Sequence, residues 1–298
     1  MKGITMGELN RPDGLGRSVT QRVKAVKQPR GGYIKPKAFT PNTLGDGLDA
    51  LNPEENVSAN MVGLVVDYMT RVMSGTPAGE AFKVALVGAN QLYLAWSSGR
   101  LHFAGDVDAQ LEFNDEMSTA PTTAETLAAD IQGLDDASII AAVRLARYDT
   151  VYRAGLQAYV MGWRPCAAAD PDAPTIANIR TMIERALAFF DIYGPKALDG
   201  FTFEGGYTPT VATGDGDFTT TDTLWDFKTS KLPIKKEHTL QLLMYWRMGL
   251  HSVHPELQNI KYLGIYNPRT NVASRLAVAD IPADVIEEVE HDVIGYVD

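Results

Sequence analysis

Near Gly200 the hydrophobic pattern changes its period, and that change bounds what the chain can fold into. Upstream, apolar residues recur at helical spacing: Met61, Leu64, Val65 and Met69 fall on one face of a helix predicted over 57–73. Further helices are predicted over 79–94, 122–133, 136–147, 149–161 and 175–193, the last ended by Gly194-Pro195. Downstream, residues 201–213 are rich in Thr, Val, Phe and Tyr and read as a strand. Residues 214–221 and 223–228 read as two more strands, joined by a tight turn at Thr221-Asp222. A helix over 237–250, strands over 260–266 and 272–277, and a closing helix over 281–296 complete the order. That order predicts an α/β fold in which a mixed sheet is flanked by helices, with a helical N-terminal part.

Composition sets the outer limits. With 298 residues, 45% of them hydrophobic and 21% charged, the chain suits one large domain or two small ones and not wholesale disorder. Its one cysteine, Cys166, excludes an internal disulfide framework, a four-cysteine zinc site and a cysteine-held iron–sulfur cluster. No apolar run approaches the roughly 18–20 residues of a membrane span, and the first residues lack the apolar stretch of a signal peptide. A soluble, cytoplasmic protein without a membrane partner is expected. No Gly-x-x-x-x-Gly-Lys loop is present, so ATP hydrolysis is not expected and any helicase or motor would be a separate chain. The net charge of −10 argues against coating a nucleic acid by bulk charge. The charge is uneven, however: residues 1–37 hold nine basic and two acidic residues, a local +7. Rich in Gly and Pro, that segment reads as a basic, loosely ordered arm able to hold phosphates.

The chemistry concentrates between 214 and 245. Side chains alternate along a strand, so Asp226 and Lys228 project from one face. A hairpin of the two short strands would set Asp217 beside them. Two carboxylates so placed repel, and a divalent cation relieves them; hard oxygen ligands suit magnesium or manganese. A neighbouring lysine can orient water and stabilise charge developing on phosphate. On the next helix Gln241 and Tyr245 are four apart and can face one cleft. Lys231, Lys235, Lys236 and His238 follow closely and could form a phosphate-gripping rim, or simply a solvated loop. Arg144, Arg147 and Arg153 read as surface ion pairs, His251 and His254 as an exposed helix end, and Trp225 and Trp246 as core aromatics.

The set Gly214, Asp217, then Asp226, Lys228, then Gln241, Tyr245 resembles the motifs of the PD-(D/E)xK nuclease superfamily, specifically its RecB-like branch. The resemblance implies a restriction-endonuclease-like core, here over 201–298, behind a helical region over 38–200 and the arm. It implies a metal-dependent nuclease acting on DNA, with RNA still open, in recombination, repair, phage processing or defence. Asp217, Asp226 and the carbonyl of Phe227 would hold Mg2+ or Mn2+, Lys228 would position water, and Gln241 and Tyr245 would shape the site. An upstream ligand is also expected in that family. The Gly75–Glu80 turn offers Glu80 first, with Glu184 and Glu204 as alternatives, although Gly79 stands where a histidine is usual. The rival reading keeps the fold as a nucleic-acid-binding or scaffolding module without catalysis.

Overall fold

The computed structural model describes residues 16–45, 50–164 and 170–297. They divide into two compact units: a helical one over 50–187, and one built from 16–45 together with 188–297.

The helical unit begins with α2 (Ala59–Met73), whose Val62, Val65, Val66 and Met69 are buried at the spacing the sequence shows. After it come α3 (Ala78–Ala81), α4 (Lys83–Ser97), α5 (Val107–Asp130), α6 (Asp136–Ala146), α7 (Asp149–Ala154) and α8 (Leu156–Gly162). The sequence reading, a helix over 122–133, reaches only the end of α5. In the fold Pro121 lies inside the helix, where the burial of Phe113, Met117, Ala120 and Ala124 outweighs its missing N–H. Asp149, 1% exposed, is satisfied by the hydroxyl of Tyr68 at 2.5 Å and by Arg153 at 2.5 Å. Arg144 pairs with Asp170, and the Arg147 guanidinium donates to the Arg164 carbonyl. These arginines therefore have structural partners.

In the second unit a six-stranded sheet has the order β2-β8-β7-β6-β5-β3. Its strands are β2 (Thr40–Thr43), β3 (Leu198–Thr202), β5 (Asp215–Thr219), β6 (Thr223–Phe227), β7 (Tyr262–Asn267) and β8 (Val272–Ala277). Only β6 and β7 pair in parallel; the other neighbours are antiparallel. A parallel pair needs a crossover, and α10 (Lys236–Leu250) supplies it. Leu240, Leu243, Met244 and Met248 of α10 belong to one buried cluster with Leu224, Leu263, Ile265 and Leu276 of the sheet. On the opposite face, Phe189 of α9 (Ala173–Tyr193) stacks on Tyr266 at 4.2 Å and meets the Trp225 ring edge-on at 4.8 Å. Trp225 is fully buried, as expected of a core aromatic, and its indole N–H donates to Thr220 Oγ1.

Three departures from the sequence reading have clear causes. The strand predicted over 201–213 is broken by a turn closed by Gly206 N–H on the Phe203 carbonyl, so β4 (Val211–Thr213) leaves the large sheet. It pairs in parallel with β1 (Arg17–Ser18). The basic segment is also more ordered than its composition suggests. Residues 1–15 lie outside the described residues, but α1 (Val19–Ala25) is closed by a capping box of Ser18 and Gln21. Val19, Val23, Ile34 and Phe39 join the core cluster, and Arg22 donates to the carbonyls of Asp292 and Val293. Apolar residues spaced through a basic sequence suffice to dock it. Finally, the closing helix starts as α11 (Ala283–Glu288) and loosens into a π-helical turn over Val289–Ile294.

Candidate active site

Strand register assembles an acidic face. Phe218 lies opposite Trp225 and Thr219 opposite Leu224, so continuing the β5–β6 register sets Asp217 opposite Asp226. Phe218 and Trp225 pack against the aromatic cluster of Phe189, so strand alternation turns Asp217, Asp226 and Lys228 to the other face. The ladder ends at this point. The backbone N–H of Phe227 donates to Asp217 Oδ2 at 2.7 Å, while the N–H of Lys228 bonds the Tyr266 carbonyl on β7. Gly214 serves this geometry through packing: a Cβ there would lie 2.7 Å from Val19 of α1.

The electrostatics are those of a buried ion pair with one group to spare. Asp226 is 1% exposed. Lys228 Nζ donates to its Oδ1 at 2.8 Å and stands 2.8 Å from Oδ2 without hydrogen-bond geometry, which leaves Oδ2 buried and without a donor. Burial pushes the Asp226 carboxyl above the ordinary range, against the pull of the Lys228 ammonium. Burial alone would lower Lys228, but Asp226 and Asp217 outweigh it and hold the amine above its usual value. Lys228 is therefore a firm cation, with its side chain 26% exposed.

Gln241 and Tyr245 meet as their helical spacing predicts: Gln241 Nε2 donates to the Tyr245 hydroxyl at 2.8 Å. The Tyr245 ring stacks on Phe203 at 4.8 Å. Burial raises its phenol, and the fields of Asp217, Asp226 and Asp215 raise it further. It stays protonated and can donate. Asp215, two residues before Asp217 on the same strand face, is an exposed carboxylate whose influence the motif reading left out.

A divalent cation suits the donor set on this face. The carboxylates of Asp217 and Asp226, in opposed register, and the carbonyl of Phe227 are all hard oxygens. The upstream carboxylates lie on other elements. Glu80 and Glu184 are exposed residues of the helical unit, on α3 and α9. Glu204 is exposed on the turn after β3, its carbonyl accepting the Val253 N–H. Among the described residues, no group of three or more His, Cys, Asp or Glu side chains is arranged to hold a metal ion.

The basic residues that follow divide. Lys231 lines a cleft together with Lys228 and His238, whereas Lys235 and Lys236 start α10 outside that lining. Lys37, from the basic segment, lines the cleft as well. Its place there depends on β2 pairing with β8, which no local pattern announces. The Nδ1 of His238 accepts the Lys235 N–H at 3.3 Å, and burial with the fields of Lys228 and Lys235 lowers the ring to about 4. His251 and His254 separate, one against Tyr296 and the other against Phe201. No described helix is long and apolar enough to cross a membrane. No known protein family matches the chain, and neither does any curated protein or solved structure.

Proposed function

We propose that the protein is a metal-dependent nuclease of restriction-endonuclease-like fold that hydrolyses phosphodiester bonds in DNA. The observation that carries the reading is the β5–β6 register, whose continuation sets Asp217 opposite the buried Asp226, with the Phe227 N–H on Asp217 and the Lys228 ammonium on Asp226. The order β3-β5-β6-α10-β7, with the parallel β6–β7 pair, supports the fold assignment.

Asp217, Asp226 and the Phe227 carbonyl would hold Mg2+ or Mn2+, which supplies Lewis-acid stabilisation of phosphate charge and activation of water. Lys228, fixed by Asp226 and partly open to solvent, orients that water and offsets negative charge as it develops. Gln241 holds the Tyr245 hydroxyl so that its proton points away from the amide and toward a substrate oxygen.

The test is purified protein with labelled single- and double-stranded DNA and RNA, in magnesium, manganese or chelator. Cleavage that needs metal and is lost in Asp226→Asn is expected. Undiminished cutting in excess chelator, or by Asp226→Asn, would overturn the reading.

A further inference from the structure

Beside the acidic face lies a cleft of about 580 Å³ between the Lys37–Pro41 segment, the 230–234 loop and the ends of β7 and β8. Its chemistry is two-fold. Phe39, Leu232, Pro233 and Ile234 give it apolar walls, while Lys37, Lys228 and Lys231 are its only charged lining residues, with no carboxylate among them. Lys228 is balanced by Asp226, and Lys37 and Lys231 add two further cations to the lining in a chain of net charge −10. The cleft is also preformed. Asn267 Nδ2 donates to the Ser230 carbonyl at 2.7 Å, Arg269 Nε to the Thr229 carbonyl at 2.9 Å, and the Leu232 N–H to Ser230 Oγ at 2.9 Å. These bonds fix the course of the loop that lines the cleft.

We propose that this cleft binds one unstacked nucleotide of a single strand, its base against the apolar walls and its phosphates at the lysines. The inference rests on the nuclease reading and adds a substrate class to it: strands with an unpaired nucleotide over continuous duplex. Lys228 belongs both to this cleft and to the Asp226 ion pair, so a nucleotide here adjoins the phosphate that would react. The volume falls in the range of small-ligand clefts, roughly 300–1,000 Å³. An apolar pocket with a cationic mouth matches a planar base on an anionic backbone. Drawing a base out of a duplex costs unstacking and unpairing, whereas an unpaired base enters nearly free.

The experiment reads binding of the full chain, in metal-free buffer, to fluorescent single strands, to the same strands with one abasic position moved stepwise, and to blunt duplex. Single strand should bind about tenfold or more tighter than duplex, and one abasic position should cost about tenfold. Leu232→Asp and Lys37→Glu change exposed residues, and their folding is checked by thermal melts. Leu232→Asp should abolish the abasic penalty, and Lys37→Glu should weaken every strand alike. Equal binding of intact and abasic strands, or a penalty that survives Leu232→Asp, overturns the proposal. Cleavage with magnesium is scored separately, so a nuclease without an abasic penalty sinks only the base pocket. A penalty without metal-dependent cleavage sinks only the nuclease reading.

Discussion

Lys228 shows how closely stability and chemistry are tied at one residue. Its ammonium compensates the buried Asp226 carboxylate, so Lys228→Ala removes the charge that opposes the upward push of burial on that carboxyl. On the nuclease reading, we expect turnover to fall on the order of 100-fold or more while the chain still melts cooperatively. Near wild-type turnover would place water activation elsewhere. His238 makes a prediction that needs no catalysis. Its ring takes a proton near pH 4 in the fold and near 6.5 when unfolded, so the unfolded chain holds more protons between those values. The stabilisation from His238 is thus complete above about pH 6.5 and lost as pH falls toward about 4. His238→Gln should flatten the melting temperature across that window, read by thermal scans in chelator. An unchanged slope would mean that other groups govern it. The carboxylates and Lys228 were legible in the sequence because a strand's side-chain period is 2 and local. Lys37 was not, since more than 180 residues separate it from Lys231 along the chain.

At the level of elements, two sites test how the acidic face is supported. Ser18 accepts the Gln21 N–H, and Gln21 returns a bond to the Ser18 N–H, which fixes the start of α1 and seats Val19 against Gly214. Ser18→Ala should cost about 1 kcal/mol in denaturant melts. No loss would show that tertiary burial of Val19 and Val23 alone holds the helix. In the centre of the sheet, a Cβ on Gly264 would fall 2.3 Å from the ring of the fully buried Trp225 on the paired strand. Gly264→Ala should therefore destabilise by about 1–3 kcal/mol, by overpacking. Elements with a strong period, such as α2 and α10, were readable from sequence. The division of 201–213 into β3 and β4 was not, because Thr, Val, Phe and Tyr favour strands whichever partner they find. β2 was hidden too: it carries Pro41, tolerated because β2 is an edge strand.

Across the whole molecule, the N-terminal basic segment separates attraction from folding. Removing residues 1–15 keeps the whole of α1 and takes away Lys2 and Arg11 against Glu8 and Asp13. On the nuclease reading it should barely change the salt dependence of DNA binding. Removing residues 1–25 also deletes Val19, Val23 and the Arg22 bonds to Asp292 and Val293, and should lower the melting temperature sharply. A wild-type melt from the longer deletion would show that the segment is not part of the core. By itself the sequence determined what depends on neighbours a few residues apart: the shift from helical to strand period near Gly200, the shared face of Asp226 and Lys228, and the Gln241–Tyr245 pair. Only the tertiary structure decided which distant segments complete those local units. It docked a basic segment into the core through Val19 and Val23, left Asp226 Oδ2 buried without a donor, and set Lys37 and Phe39 in the cleft beside Lys228. The reason is physical: backbone period is fixed by bonds along the chain, whereas burial depends on the segments that pack together.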